Sequence, residues 1–121
     1  MRCLIVDDSA DFRDAAAAML EGAGIDVVAV AANSADALRI SEDLRPDVAL
    51  VDIDLGGESG FDLAEALDSA QARPAVILVS TFAEQDLEEM VAVSPAVGFV
   101  SKLELSADAV RDLLALYRAS R

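Results

Sequence analysis

The sequence predicts an α/β fold in which a five-stranded, doubly wound parallel sheet is flanked by five helices. Five short β-rich runs recur along the chain, each followed by polar residues and a longer stretch of helical periodicity. The runs from Val48 and from Val76 are apolar at successive positions without alternation, the pattern of strands covered on both faces. A length of 121 residues with 55% hydrophobic content suffices for one core and not for two, so residues 1–121 read as a single domain.

The first run, Arg2 to Val6, leads into a helix opened by Ser9 or Asp11 and closed by Gly22 and Gly24. The second, Asp26 to Val30, precedes a helix capped at Ser34 and stopped by Pro46. Val48 to Val51 forms the third run, and Gly60 meets a backbone requirement, or a simple turn, at the start of the helix that follows. Pro74 precedes the fourth run, Val76 to Val79, whose helix carries Glu84, Asp86, Glu88 and Glu89. Pro95 and Gly98 bracket the start of the fifth run, Val97 to Val100. Ser106 opens the last helix, where Val110, Leu113, Leu114 and Tyr117 make an apolar stripe with Arg111, Asp112 and Arg118 off it.

Composition narrows the function. The 23 acidic and 9 basic side chains give a formal net charge of −14, a field that repels phosphate backbones and anionic lipid, so no direct nucleic-acid or membrane contact is expected. Cys3, the single cysteine, lies in an apolar run and reads as a buried structural thiol; it allows no internal disulfide. Without a basic leader, an h-region or a bilayer-spanning stretch, the expected compartment is the cytoplasm.

In a doubly wound sheet the site lies at the carboxyl ends of the strands. There the sequence places Asp7 and Asp8 after the first run, Asp52 and Asp54 after the third, Ser80 and Thr81 after the fourth, and Lys102 after the fifth. Clustered carboxylates repel unless a cation neutralises them, and hard oxygen donors with room for water suit Mg²⁺. With a metal present, one carboxylate can attack phosphorus while an ammonium group stabilises the transferring oxygens, and Lys102 can supply it. Each residue alone is an ordinary cap, turn or surface side chain. Lys102 stands out as the only lysine in a chain that uses arginine eight times.

Together, LIVDDS, ALVDIDLGGESGFDL, VILVSTF and GFVSK resemble the response-regulator receiver family of two-component signalling, the CheY-like superfamily, over essentially the whole chain. The resemblance implies a flavodoxin-like sheet of receiver type. It implies that Asp52 accepts a phosphoryl group from a histidine kinase, that Asp8 ligates Mg²⁺ directly, and that Asp7 acts mostly through water. The Asp54 carbonyl would complete the metal set of Asp7, Asp8, Asp52 and Asp54, with the Asp54 side chain influencing phosphoryl lifetime. Ser80, favoured over Thr81 by the spacing back from Lys102, would bond the phosphoryl group, and Phe99 would be the switch aromatic. Such a domain catalyses only its own phosphotransfer and dephosphorylation. Its output would be a surface of the fourth helix, fifth strand and fifth helix, where acidic and arginine side chains make a homodimer conceivable.

The chain departs from the family pattern at several points. Gly56 and Gly57 stand where proline is frequent, predicting a looser loop. Leu103 follows Lys102, so no cis bond is expected there. The switch aromatic is Phe and has no hydroxyl, and Thr81 is larger than the residue often found beside the hydroxyl position. Two rival readings remain at this point: an unphosphorylated pseudo-receiver that only docks, and a haloacid-dehalogenase-like phosphatase suggested by DIDLG. Against the second, the acidic pair comes first, no acidic pair follows the lysine, and no cap segment is present.

Overall fold

In the computed structural model, which describes residues 1–81 and 87–119, five strands and five helices alternate along the chain. They are β1 (Arg2–Val6), α1 (Ala10–Gly22), β2 (Asp26–Ala31), α2 (Ser34–Leu44), β3 (Val48–Asp52), α3 (Gly60–Ser69), β4 (Ala75–Ser80), α4 (Glu88–Val93), β5 (Gly98–Ser101) and α5 (Ala107–Ala119). All neighbouring strands are parallel, in the order β2-β1-β3-β4-β5. The order reverses between β1 and β3, which opens a crevice at their carboxyl ends.

Strand pleating divides the core in two, because successive side chains point to opposite faces. Cys3, Ile5, Val48, Leu50 and Ile77 meet Ala16 and Leu20 of α1 and Val110 and Leu114 of α5. Leu4, Val6, Ala49, Val51, Val76 and Leu78 meet Ala37 of α2 and Leu63, Ala64 and Leu67 of α3. Every residue of β3 and β4 is buried, which accounts for their unbroken apolar runs. Each fully buried leucine here contributes about 2 kcal/mol, so the central strands form a stiff platform for the residues at their ends.

Local chemistry sets the helix starts. The Ser9 hydroxyl accepts from Phe12 N at 3.3 Å, the Ser59 hydroxyl from Phe61 N at 3.1 Å, and the Ser106 hydroxyl from Ala109 N at 3.0 Å. The cap of α2 is Asn33, not Ser34: its side chain accepts from Asp36 N at 2.9 Å, and Ser34 is the first helical residue. At the other end of α2, Arg45 takes a left-handed conformation with φ 48° just before Pro46. The fifth strand begins at Gly98, one residue later than the apolar run suggests, and β2 extends to Ala31. Of the acidic residues expected on the fourth helix, Glu88 and Glu89 are exposed on α4, while Glu84 and Asp86 lie outside the described residues. No helix among the described residues is long and apolar enough to cross a membrane.

Candidate functional site

Asp7 follows β1 directly and is buried in the crevice. Its backbone N–H donates to Ala31 O at 3.0 Å, prolonging the β1–β2 ladder by one step. Its carbonyl accepts from Arg13 Nη1 at 2.7 Å, and its Oδ1 accepts from Ser9 N at 2.8 Å. These contacts fix the carboxylate with Oδ2 turned inward. Asp8, one residue on, is exposed at the rim.

Asp52 is the last residue of β3 and is 6% exposed. Its Oδ1 accepts from Asp54 N at 3.1 Å, and its Oδ2 accepts from Lys102 Nζ at 3.1 Å. Carboxylate oxygens of Asp7, Asp8 and Asp52 all lie within 4.8 Å of one another. That spacing and donor set fit a hard divalent cation, which takes a few carboxylates and keeps several waters. Asp54 is exposed, and its carboxylate accepts from Gly56 N at 3.2 Å and does not join this cluster of side chains.

Lys102 follows β5, where its backbone N–H donates to Ser80 O at 2.8 Å and so brings its side chain over the crevice. Nζ lies 2.7 Å from Asp7 Oδ2, an ion contact that lacks the angle of a good hydrogen bond. Burial pushes the Asp52 carboxyl above the ordinary carboxylate value; the Asp54 N–H and Lys102 work against this, and the nearby Asp7 charge adds to it. Burial disfavours the Lys102 ammonium, but the Asp7 and Asp52 carboxylates outweigh it and raise its pKa. The ammonium is therefore held charged beside a carboxylate that burial disfavours.

Ser80 ends β4 and is buried, whereas Thr81 beyond it is exposed. Phe99 is buried and pairs in register with Leu78, two residues before Ser80, so Phe99 and Ser80 share one face of the sheet. The Phe99 ring belongs to the core cluster on the α3 side.

The loop after β3 is shaped by glycine. Gly56 and Gly57 have φ of +66° and +104°, and a Cβ on Gly56 would stand 2.8 Å from Asp8 Oδ2. At Gly60 a Cβ would fall 2.1 Å from Asp52 O, so the start of α3 can approach β3 only without a side chain. No peptide bond among the described residues is cis, including Lys102–Leu103.

Two contributors do not stand out in the sequence. Arg13 braces the Asp7 carbonyl, and Phe12 presents its ring to Lys102 Nζ at 4.4 Å from the centroid. Both follow the Ser9 cap by one helical turn, which is the only sequence signal of their position. Conversely, Arg111 is not a free outward charge on α5. Its guanidinium donates to Ala23 O, next to α1, and lies 3.9 Å from Asp108.

The chain is 34% identical over 120 residues to a protein-glutamate methylesterase/protein-glutamine glutaminase of Halalkalibacterium halodurans, covering 94% of this chain and 35% of that protein. It is 28% identical to the transcriptional regulatory protein PdtaR of Mycobacterium tuberculosis, covering 95% of this chain and 60% of the relative. The chain thus spans only part of the curated relatives it matches. Among solved structures, it superposes on the signal receiver domain of the response regulator NarL from M. tuberculosis with TM-score 0.83 at 30% identity, covering 92% and 93% of the two chains. A signal receiver domain of a modulated diguanylate cyclase from Desulfovibrio desulfuricans gives TM-score 0.79 at 28% identity, covering 95% and 90%. The family model of the response regulator receiver domain matches residues 3–114, and with the carboxylates and lysine gathered at the sheet's switch point, the chain belongs to that family.

Proposed function

We propose that this domain accepts a phosphoryl group on Asp52 from a histidine kinase and passes the change to a partner-binding surface. One observation carries the reading: the buried Asp52 carboxylate lies against the Lys102 ammonium at 3.1 Å and within 4.8 Å of Asp7 and Asp8. A carboxylate oxygen of Asp52 forms the new O–P bond as the donor's P–N bond to histidine, or P–O bond in acetyl phosphate, breaks. Asp8 and Asp7 would hold Mg²⁺ with Asp52 and the Asp54 carbonyl, the metal neutralising charge on the transferring oxygens. Lys102, already charged and oriented, pairs with a phosphoryl oxygen. Ser80 moves to bond another, and Phe99 follows on the same sheet face.

The domain of residues 1–121 acts as one unit and catalyses only its own phosphorylation and its reversal. The methylesterase name belongs to a relative of which this chain covers 35%. The output surface is α4, β5 and α5, where Met90, Val93 and Leu116 are exposed apolar residues. A dimer there would pair Glu88 and Glu89 of one copy with Arg118 of the other, since Arg111 is engaged by the α1–β2 turn.

Intact-mass analysis after incubation with acetyl phosphate, with and without Mg²⁺, tests the reading on wild type and Asp52→Asn. A metal-dependent gain of one phosphoryl group that the variant lacks is the expected result. No adduct, together with no response to beryllofluoride by NMR, would instead make the domain a docking module.

A further inference from the structure

Lys102 Nζ has three N–H bonds, and two carboxylates face it, from Asp7 at 2.7 Å and Asp52 at 3.1 Å. Nζ also stands over the ring of Phe12, 4.4 Å from its centroid, inside the distance at which an ammonium is attracted by an aromatic face. The ring is itself fixed. Phe12 lies in the first turn of α1, its N–H donates to the Ser9 cap at 3.3 Å, and its half-buried side chain packs against the core cluster beneath α1 and α5.

An unbranched lysine stem has many rotamers, and a strongly hydrated ammonium would ordinarily turn toward water. Here the aromatic face replaces water on one side while adding no donor or acceptor that competes with the carboxylates. The charge is thereby kept at the mouth of the crevice where the transferring oxygens would arrive. Aromatic residues are scarce, at 4% of the chain, and this one covers the only lysine.

We propose that Phe12 is a positioning residue for Lys102: its ring holds the ammonium against the Asp7 and Asp52 carboxylates, and so sets how readily Asp52 is phosphorylated. This rests on the phosphoacceptor reading above. The expected cost of replacing the ring by an aliphatic side chain of similar size is about a fivefold slower phosphorylation, the worth of a partly desolvated cation–π contact.

The test uses the single lysine as its own probe. Protein labelled with ¹³C/¹⁵N-lysine gives one side-chain spin system, read without assignment, in wild type, Phe12→Leu, Phe12→Tyr and Phe12→Trp. Acetyl phosphate labelling rates with Mg²⁺ are measured on the same samples. The proposal expects upfield-shifted Lys102 Hε signals in wild type, collapse to ordinary values in Phe12→Leu with the slower rate, and recovery of both in Tyr or Trp. Ordinary Hε shifts in wild type would overturn it, as would a Phe12→Leu protein that loses the shift yet labels at the wild-type rate. Aromatic variants that restore the shift but not the rate would overturn it too. Failure of wild type to label at all would strike the phosphoacceptor reading, while the lysine spectrum would still report whether the ring holds the ammonium.

Discussion

The Lys102 ammonium stands closer to Asp7 than to Asp52, at 2.7 Å against 3.1 Å, so a single cation is shared by two buried carboxylates with the nearer one left off the ideal angle. Removing the cation leaves two carboxylates facing each other in a poorly solvated crevice. Lys102→Met is expected to lose roughly 3 kcal/mol of stability in the absence of divalent cations. Urea denaturation in EDTA measures this, and adding Mg²⁺ should return part of the loss because a ligand that binds only the folded state stabilises it. An unchanged midpoint in EDTA would mean that the shared cation contributes no net stability.

The pH dependence has a definite sign. Asp52 has its pKa raised by folding, so between the unfolded value of about 3.9 and the folded one the native state binds more protons than the unfolded state. Its contribution to stability is present in full below the unfolded value and is lost as pH rises through the folded one. Metal-free Asp52→Asn should therefore be more stable than wild type at neutral pH, and the gap should close as the solution is acidified toward the unfolded value. Paired urea titrations across this range check it; a gap independent of pH would contradict the assignment. The raised Lys102 value acts at the other end, giving stability that is complete below the unfolded lysine pKa of about 10.4 and lost as pH climbs through the folded one.

Gly60 and Gly56 should respond differently to alanine. At Gly60 the added carbon meets backbone on two sides, Asp52 O at 2.1 Å and Ile53 Cα at 2.6 Å, so Gly60→Ala should cost about 3 kcal/mol or more by displacing α3. At Gly56 it meets a carboxylate oxygen of the rim residue Asp8 in a left-handed turn. Gly56→Ala is expected to leave most of the fold intact, with a thermal midpoint within several degrees, and to weaken Mg²⁺ binding severalfold, read by isothermal titration.

Ser41 is 1% exposed on α2 and its hydroxyl finds no hydrogen-bond partner among the described residues. Ser41→Ala removes an unsatisfied buried polar group and places a better helix former, so it should gain about 1 kcal/mol in urea unfolding. A loss would show that the hydroxyl is paired in solution.

Much of this was readable in the chain itself, and the reasons differ by element. The central strands are legible because β3 and β4 are buried on both faces and a parallel sheet leaves them apolar up to their last residues, Asp52 and Ser80. The clustering of Asp7, Asp8, Asp52 and Lys102 followed from topology, since residues just after parallel strands share one edge. The α2 cap falls one residue before Ser34 because Asn33 and Ser34 are both good capping residues, and the extended backbone of Asn33, with its side chain accepting from Asp36 N, decides between them. Arg111 read as an outward charge because helical periodicity places it off the apolar stripe, but says nothing of the Ala23 carbonyl that waits beside it. Phe12 could not be seen for the same reason: its partner lies 90 positions away, and only the folded crevice brings ring and ammonium together.

Cys3 sits at zero exposure on β1, between β2 and β3, its thiol pushed up to about 12 by burial. Such a sulfur is chemically silent in the native protein, since thiol reagents attack the thiolate. The chain therefore arrives with a built-in gauge. Maleimide added to wild type can label only molecules in which the core around β1 has come apart, so the labelling rate counts those openings without any denaturant. It also leaves a clean background for fluorophores: a cysteine placed at Leu103, 90% exposed beside Lys102, would be the only one to react on a native time scale, and would put a dye at the lip of the crevice.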